Sequence, residues 1–186
     1  MSRSDISSQS GLLLHACCLT NLVASEYLDE ILEILPPVSI SQDMYWQEPL
    51  FFDDHPEAPS KERIRITPDR FPKMLSLLPL PPGLLGEVID LAVVLGGDCE
   101  GYTAALALHH RWAVGMDTPK TIALFEHHAS ALPIISTPAL IKYWMECASP
   151  SAQKVTQAIK NISARARYLP QRTHPLSSWW KSYLNP

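Results

Sequence analysis

The pattern of apolar positions begins with a run at residues 11–18, GLLLHACC, which only His15 interrupts. A short continuous apolar run is typical of a strand that is covered on both faces, as in a parallel sheet. From residue 19 to residue 35, Leu and Ile recur at helical spacing with acidic residues between them, and two prolines end the pattern. The chain is therefore predicted to start with a buried strand and a helix.

Short strands and an insertion are predicted in the next part of the chain. The segment VSI, residues 38–40, has strand character, and a helix is expected after it with Ser41 as its N-cap. Pro49 ends or distorts that helix. Residues 53–66 contain two prolines and a charged end, so they predict a surface insertion that closes with a short strand at 63–66.

The second half of the chain predicts helices that alternate with parallel strands. Helices are expected over about 68–78 and 83–95, and Asp98 is expected to be the N-cap of a third. WAVGMD, residues 112–117, and LPIIS, residues 132–136, predict strands, and each is followed by a Thr-Pro dipeptide typical of a helix start. Consecutive strand and helix units imply right-handed crossovers. The predicted fold class is α/β, a three-layer α/β/α sandwich with a mostly parallel central sheet.

The charged residues divide the chain into an acidic body and a basic tail. Residues 147–186 carry a formal charge of +6 and no acidic side chain, whereas the preceding residues carry −10. We predict a disordered polar N-terminus over 1–10, one domain over 11–147, and a C-terminal helix with a basic aromatic tail over 148–186. The asymmetry of charge is more informative than the net charge of −4.

The composition is that of a globular protein. Hydrophobic residues make up 46% of the chain and charged residues 18%, and no apolar stretch approaches the roughly 20 residues of a membrane helix. The polar N-terminus lacks the pattern of a signal peptide, and the four cysteines show neither disulfide density nor C-x-x-C spacing. We therefore expect a cytoplasmic protein with no membrane association.

Acidic residues and a histidine are expected to meet at the carboxyl edge of the sheet, where parallel α/β proteins bind ligands. His15 follows the first predicted strand and Asp117 ends WAVGMD, while Glu48 and Glu100 lie near the ends of predicted helices. Converging carboxylates repel one another unless a cation bridges them, and oxygen ligands suit Mg²⁺ or Mn²⁺. This pattern predicts metal-assisted phosphodiester hydrolysis.

The order of these segments resembles that of a PIN domain, the nuclease fold of many toxins of toxin–antitoxin pairs. HACCLTNL is similar to the end of the family's first strand, with His15 at the position of the family's aspartate and Asn21 in place. QEPLFF is similar to the segment with the family's helical glutamate, GDCEGYTAALAL to its second glutamate helix, and WAVGMDTPK to its aspartate segment. The resemblance covers roughly residues 11–147 and implies a PIN-like fold.

The resemblance also implies a metal-dependent endoribonuclease of the toxin type. Its catalytic residues would be Glu48, Glu100 and Asp117. These three carboxylates and His15 would bind Mg²⁺ or Mn²⁺, and Asn21 would orient the ligand of the first strand by hydrogen bonding. An antitoxin-like protein partner and self-association as a homodimer are implied by the resemblance alone.

Two departures from the family pattern leave the activity open. His15 replaces an acid of the metal site, and Met116 and Thr118 replace polar or acidic residues beside Asp117. His15 has three interpretations: a metal ligand that favours Mn²⁺ or softer ions, a counter-charge in a degenerate site without a metal, or a core histidine with no functional role. The competing function is therefore a catalytically degenerate PIN-like protein that binds RNA or a protein partner.

The basic tail carries the expected contacts with RNA. From the end of a predicted helix over 151–167, arginines alternate with aromatic residues such as Tyr168, a pattern that holds phosphates and stacks the bases of single-stranded RNA. The alternative is that these arginines neutralise the acidic body. These arginines are Arg165, Arg167 and Arg172. Trp179 and Trp180 are instead expected to pack against the apolar surface of the body.

Two other groups of ligand-type residues are not expected to bind a metal. The histidine pairs at 109–110 and 127–128 lack the i, i+4 spacing that places two imidazoles on one helix face. Cys17 and Cys18, in the first apolar run, are expected to be small core residues.

Overall fold

A sheet of five parallel strands forms the centre of the fold. The computed structural model describes residues 6–47, 50–53, 63–67 and 75–184. The sheet contains β1 (Leu12–Leu14), β2 (Val38–Ser41), β5 (Leu75–Leu78), β6 (Ala113–Gly115) and β7 (Ile134–Ile135). Their order is β5-β2-β1-β6-β7, and each neighbouring pair is parallel. Outside this sheet, β3 (Phe51–Asp53) and β4 (Arg63–Arg65) form an antiparallel pair.

Helices pack on both faces of the sheet. One core contains residues of α1 (Ala16–Ala24), α2 (Leu28–Leu32), α3 (Gln42–Gln47), α7 (Thr137–Ala148), α8 (Ala152–Arg165) and α9 (Ser177–Leu184). A second core contains residues of α4 (Leu85–Leu95), α5 (Asp98–His110) and α6 (Pro119–His128). The predicted α/β class with a mostly parallel sheet is confirmed, and the two helical layers fit a three-layer α/β/α sandwich.

Strand β1 is apolar throughout because both of its faces are covered. Leu12 and Leu14 belong to the core beneath α1 and α7, whereas Leu13 belongs to the core beneath α5 and α6. This alternation follows from the two-residue period of a strand. All three leucines are fully buried, which places β1 at the centre of the molecule.

The direction of the connections changes at β1. From β1 the chain moves to β2 on one side and from there to β5, and it later returns to β6 on the other side of β1. In an open parallel sheet, such a reversal leaves a crevice beyond the carboxyl ends of the two strands that flank it. His15 is the first residue after β1, and Asp117 is the second residue after β6.

The first predicted strand is too long, and the helix after it begins early. The strand ends at Leu14 and α1 begins at Ala16, although residues 11–18 were predicted as one strand. An apolar run does not distinguish a buried strand from the buried face of a helix. The helix predicted over 19–35 is also divided, because Glu26 has a left-handed backbone with φ of 69° between α1 and α2.

Several predictions in the middle of the chain require correction or fall outside the described residues. Residues 75–78 form β5, not the end of a helix over 68–78, because they pair with β2; residues 68–74 lie outside the described range. Asp98 is the first residue of α5, and Gly97 is its N-cap. The short strand at 63–66 and the N-cap role of Ser41, which accepts a hydrogen bond from the Met44 amide, are confirmed.

The C-terminal segment packs onto the body of the protein. The predicted helix over 151–167 corresponds to α8, and α9 follows it. Trp180 is fully buried, and Trp179 packs against the same core, which confirms their predicted role. At the other end of the chain, Ile6 is buried in this core, so the predicted disorder over 1–10 does not extend to it.

In the part of the chain that the structure covers, no helix has both the length and the apolar character that crossing a membrane requires.

The close packing of α4 on α5 depends on Gly101. This residue is buried in the first turns of α5. A Cβ atom there would lie 2.6 Å from the backbone oxygen of Val88 and 2.8 Å from the Cβ of Ala92, both on α4. Backbone atoms of a helix cannot yield as a flexible side chain does, so only glycine permits this approach.

We expect Gly101→Ala to lower the free energy of unfolding by about 2 kcal/mol, because the overpacking outweighs the higher helix propensity of alanine. The matched control is Gly86→Ala on α4, where a Cβ meets no atom within 4 Å. That substitution should raise the free energy of unfolding by roughly 0.5–1 kcal/mol. Urea unfolding of both variants checks the prediction, and a stabilised Gly101→Ala variant would contradict it.

Candidate functional site

A cavity of about 1250 Å³ lies at the carboxyl edge of the sheet, where the direction of the connections changes. His15, Asn21, Glu100 and Asp117 are among the residues that line it. The backbone amide of His15 donates a hydrogen bond of 2.9 Å to the carbonyl oxygen of Gly115. The prediction that His15 and Asp117 share one edge of the sheet is therefore confirmed.

Asp117 is the most strongly hydrogen-bonded group of the cavity. Its Oδ1 accepts from the backbone amide of Thr137 at 2.8 Å and from the Tyr168 hydroxyl at 3.0 Å. Its Oδ2 accepts from the side-chain amide of Asn21 at 2.9 Å and from the Thr137 hydroxyl. Four hydrogen bonds from uncharged donors thus occupy the four acceptor sites of an ionised carboxylate.

Burial and hydrogen bonding act on Asp117 in opposite directions. Burial raises the pKa of Asp117, whereas the hydrogen bonds from Thr137, Tyr168 and Asn21 lower it, and burial is the larger effect. The carboxylate also accepts the amide of Thr137, the first residue of α7, and Ser136, the N-cap of that helix, forms no side-chain cap of its own. Asp117, just beyond β6, therefore accepts a hydrogen bond from a backbone amide in the first turn of α7 that has no partner within the helix.

His15 lies between Cys17 and Glu100. Its Nδ1 is 3.4 Å from Cys17 Sγ, and its Nε2 is 3.9 Å from Glu100 Oε1. The second distance is longer than a hydrogen bond and corresponds to an ion pair when the ring is protonated. His15 is 6% exposed, so the imidazole stands at the floor of the cavity with the glutamate at one side.

The roles predicted for Asn21 and Glu48 have different outcomes. Asn21 donates hydrogen bonds to Asp117 at 2.9 Å and to the Thr137 hydroxyl at 3.2 Å. These described partners differ from His15, the ligand after the first strand that Asn21 was expected to orient. Glu48 lies outside the described residues. Of the predicted ligands, the structure therefore brings His15, Glu100 and Asp117 to one cavity.

Among the described side chains, Asp117 offers a metal ion no unused acceptor site. A metal that bound Asp117 would have to displace a hydrogen bond from at least one oxygen, because all four acceptor sites are used. In the part of the chain that the structure describes, no group of three or more His, Cys, Asp or Glu side chains is placed to hold a metal ion. Binding of Mg²⁺ or Mn²⁺ stays a prediction.

The C-terminal segment supplies residues whose contacts in the site the sequence did not predict. Tyr168 follows α8 and bonds to Asp117, while His174 Nε2 lies 2.9 Å from the hydroxyl oxygen of Ser136. Burial and the negative charge of Asp117 raise the pKa of the Tyr168 hydroxyl, which keeps it a donor. Thr137 was assigned only to a helix start, since nothing in the local sequence shows that it faces Asp117.

The arginines predicted to contact RNA have distinct surroundings. The Arg165 side chain is only 10% exposed, pairs with Glu26, and lies with its guanidinium carbon 4.8 Å from the ring centroid of Phe52. Arg167 pairs with Asp53 at 2.6 Å yet remains 62% exposed and lines the cavity. Arg172 is exposed between two cavity-lining residues.

Arg63 was not among the predicted RNA contacts, but it also lines the cavity. Its guanidinium carbon lies 5.0 Å from the ring centroid of Phe51, and the residue is exposed. Arg63 and Arg167 therefore give the rim of the cavity two arginines from two parts of the chain.

The cysteines in α1 differ in exposure. Cys18 is fully buried, as expected for a core residue, and contacts Thr137 through its sulfur. Cys17 lines the cavity, and its Sγ accepts a hydrogen bond of 3.4 Å from the Asp117 amide. Burial raises the pKa of the Cys17 thiol to about 11, with a further contribution from the charge of Asp117. A neutral thiol of this kind is a weak nucleophile at physiological pH.

The raised pKa of Asp117 predicts a specific pH dependence. The native chain holds this proton more tightly than the unfolded chain, whose ordinary pKa is 3.8. The proton therefore adds stability as pH falls through the raised pKa, and the contribution is complete below the ordinary value. We expect the free energy of unfolding of the native chain, relative to Asp117→Asn, to increase between about pH 7 and about pH 4. Urea unfolding of both chains measures it, and a difference that is constant with pH would contradict the prediction.

No family model, no curated protein and no solved structure matches this chain. The resemblance to PIN domains therefore stays a prediction, and the geometry of the cavity carries the argument about function.

Proposed function

We propose that this chain is a PIN-like protein that binds single-stranded RNA across the cavity at the carboxyl edge of the sheet, without metal-dependent cleavage. The observation that carries the proposal is the hydrogen bonding of Asp117. Its two oxygens accept four hydrogen bonds from Asn21, Thr137 and Tyr168. The carboxylate therefore serves to join parts of the fold, and it has no free acceptor site for a metal ion.

The rim of the cavity supports binding of a phosphate backbone. Arg63 and Arg167 line it and are exposed, and Arg172 is exposed next to it. Arginine guanidinium groups pair with phosphate oxygens in a fixed fork geometry. Glu100 and Glu126 also line the cavity, so phosphates are expected at the rim beside the arginines and not at the floor.

Helix ends and aromatic rings add to this surface. The helices α1 and α6 begin at the cavity, at His15 and Thr118, and neither of these N-caps makes a side-chain capping bond, whereas the start of α7 is already occupied by the Asp117 carboxylate. The first turns of helices carry a partial positive charge. Phe51 and Tyr168 line the cavity as well and are half-buried, and aromatic rings that line a groove accept stacked bases of any sequence.

The metal-dependent endoribonuclease implied by the resemblance is the competing proposal. It depends on Glu48, whose surroundings are outside the described residues, and on the release of at least one hydrogen bond from Asp117. An antitoxin-like partner, a homodimer and a cytoplasmic location also stay predictions.

Binding is tested with a fluorescein-labelled oligouridine of about 12 nucleotides, a length within the range of single-strand sites. We expect binding that weakens with salt. Arg63→Gln and Arg167→Gln should each reduce the slope of log K against log salt by about 0.7, the contribution of one lost phosphate contact. Fluorescence anisotropy at several salt concentrations gives the slope.

The matched control is Arg111→Gln. Arg111 is exposed and has the same left-handed backbone as Arg167, with φ of 57° and 54° respectively. It precedes β6, at the opposite edge of the sheet. The control should leave the slope unchanged. The absence of binding, or an equal loss in the Arg111 variant, would exclude RNA binding at this cavity and would favour a protein partner.

Calorimetric titration with Mn²⁺ and Mg²⁺ separates the two proposals. We expect no binding heat from the native chain, because Asp117 accepts four hydrogen bonds from Asn21, Thr137 and Tyr168. His15→Asp should create or improve metal binding, since it adds a carboxylate beside Glu100. Native binding that is lost in Asp117→Asn, together with metal-dependent cleavage of the oligouridine, would overturn the proposal and support the ribonuclease.

A further inference from the structure

Helix α4 presents an apolar ridge to the outside of the molecule. Leu85, Ile89 and Val93 succeed one another at intervals of four residues and are 54%, 56% and 78% exposed. At this spacing the three side chains lie on one face over about 12 Å of helix. The inner face of α4 carries the buried side chains Val88 and Leu95. The ridge is therefore not required by the packing of α4 on α5 and α6.

The residue types on the ridge are unfavourable for an exposed helix. Ile89 and Val93 are β-branched, and so is Val94, which is 38% exposed. Such residues have lower helix propensity than the unbranched polar residues common on helix surfaces. Singly exposed apolar residues are normal, but a contiguous apolar face is typical of an interaction site. Here neither helix formation nor core packing accounts for it.

The charges beside the ridge restrict what can bind there. Glu87 and Asp90 are exposed, and α4 contains no basic residue. At 100° per residue, Asp90 lies about 100° from Ile89 and flanks the ridge, whereas Glu87 lies about 160° from Ile89 in the same direction, behind that flank. The complementary surface is therefore apolar in its centre and basic along one flank.

We propose that α4 docks a basic amphipathic helix of another protein, with apolar residues on the ridge and Lys or Arg along the flank of Asp90, where Glu87 adds to the negative potential. A second copy fits less well, because in an antiparallel helix pair each flank meets the same flank of its partner, which places acids against acids. An anionic membrane surface is disfavoured for the same reason. The proposal does not depend on RNA binding in the cavity.

The probe is a synthetic helix of about 18 residues with leucines along one face and lysines on the flanks. A second peptide carries glutamate in place of every lysine. We expect the full chain to bind the lysine peptide at least about tenfold more tightly than the glutamate peptide, as several complementary charge pairs give. Fluorescence anisotropy of the labelled peptides measures both affinities.

Two double variants locate the binding on α4. Glu87→Lys with Asp90→Lys should weaken binding of the lysine peptide about tenfold and strengthen binding of the glutamate peptide. Ile89→Gln with Val93→Gln should weaken binding of both peptides about tenfold, because it removes the apolar ridge and keeps the charges. All four positions are exposed, so circular dichroism should show an unchanged fold.

The matched control is Asp29→Lys with Glu33→Lys, which makes the same change in net charge on exposed acids of another helix. The control should bind the lysine peptide within about twofold of the native chain. An equal loss in the control would show that binding follows net charge and would overturn the proposal. Two other results would also overturn the proposal. One is self-association of the native chain that the Ile89→Gln and Val93→Gln substitutions abolish, and the other is binding of phosphatidylserine vesicles that the same substitutions abolish.

Discussion

The hydrogen-bonded carboxylate of Asp117 is the interaction on which the arrangement of the site depends. It follows β6, accepts from Asn21 on α1 and from Thr137 at the start of α7, and holds Tyr168 of the C-terminal segment. Each hydrogen bond to a charged group contributes about 1.5–3 kcal/mol, and a donor left without its partner in a buried site costs a similar amount. Four separate parts of the chain are thus held at one point.

This use of a carboxylate is the reason that we propose binding at this site and not metal-dependent catalysis. A catalytic metal requires ligands with free acceptor sites and a coordination position for water. Here the acceptor sites of Asp117 go to uncharged donors of the fold, and His15 stands beside Glu100. The same edge of the sheet retains helix ends and exposed arginines, and both of these attract anions without a metal.

The cavity and the ridge on α4 belong to different parts of the molecule. The cavity is built from the carboxyl ends of β1 and β6 and from the segment after α8. The ridge lies on the outer side of a helix whose inner side packs on α5 and α6. The two proposed partners, a polyanion at the cavity and a basic helix at the ridge, would therefore bind at separate surfaces.

The sequence by itself determined the parallel α/β class, the Thr-Pro helix starts, the meeting of His15 with Asp117 and the packing of Trp180, because these follow from periodicity and local backbone preferences. Tertiary structure alone decided that residues 16–18 are helical and that residues 75–78 are a strand, since an apolar stretch serves either element and pairing with β2 makes the choice. It also decided the partners of Asp117. Thr137 and Tyr168 are 20 and 51 residues away along the chain, and hydrogen bonds over such separations are set by how the layers pack, which no local pattern records.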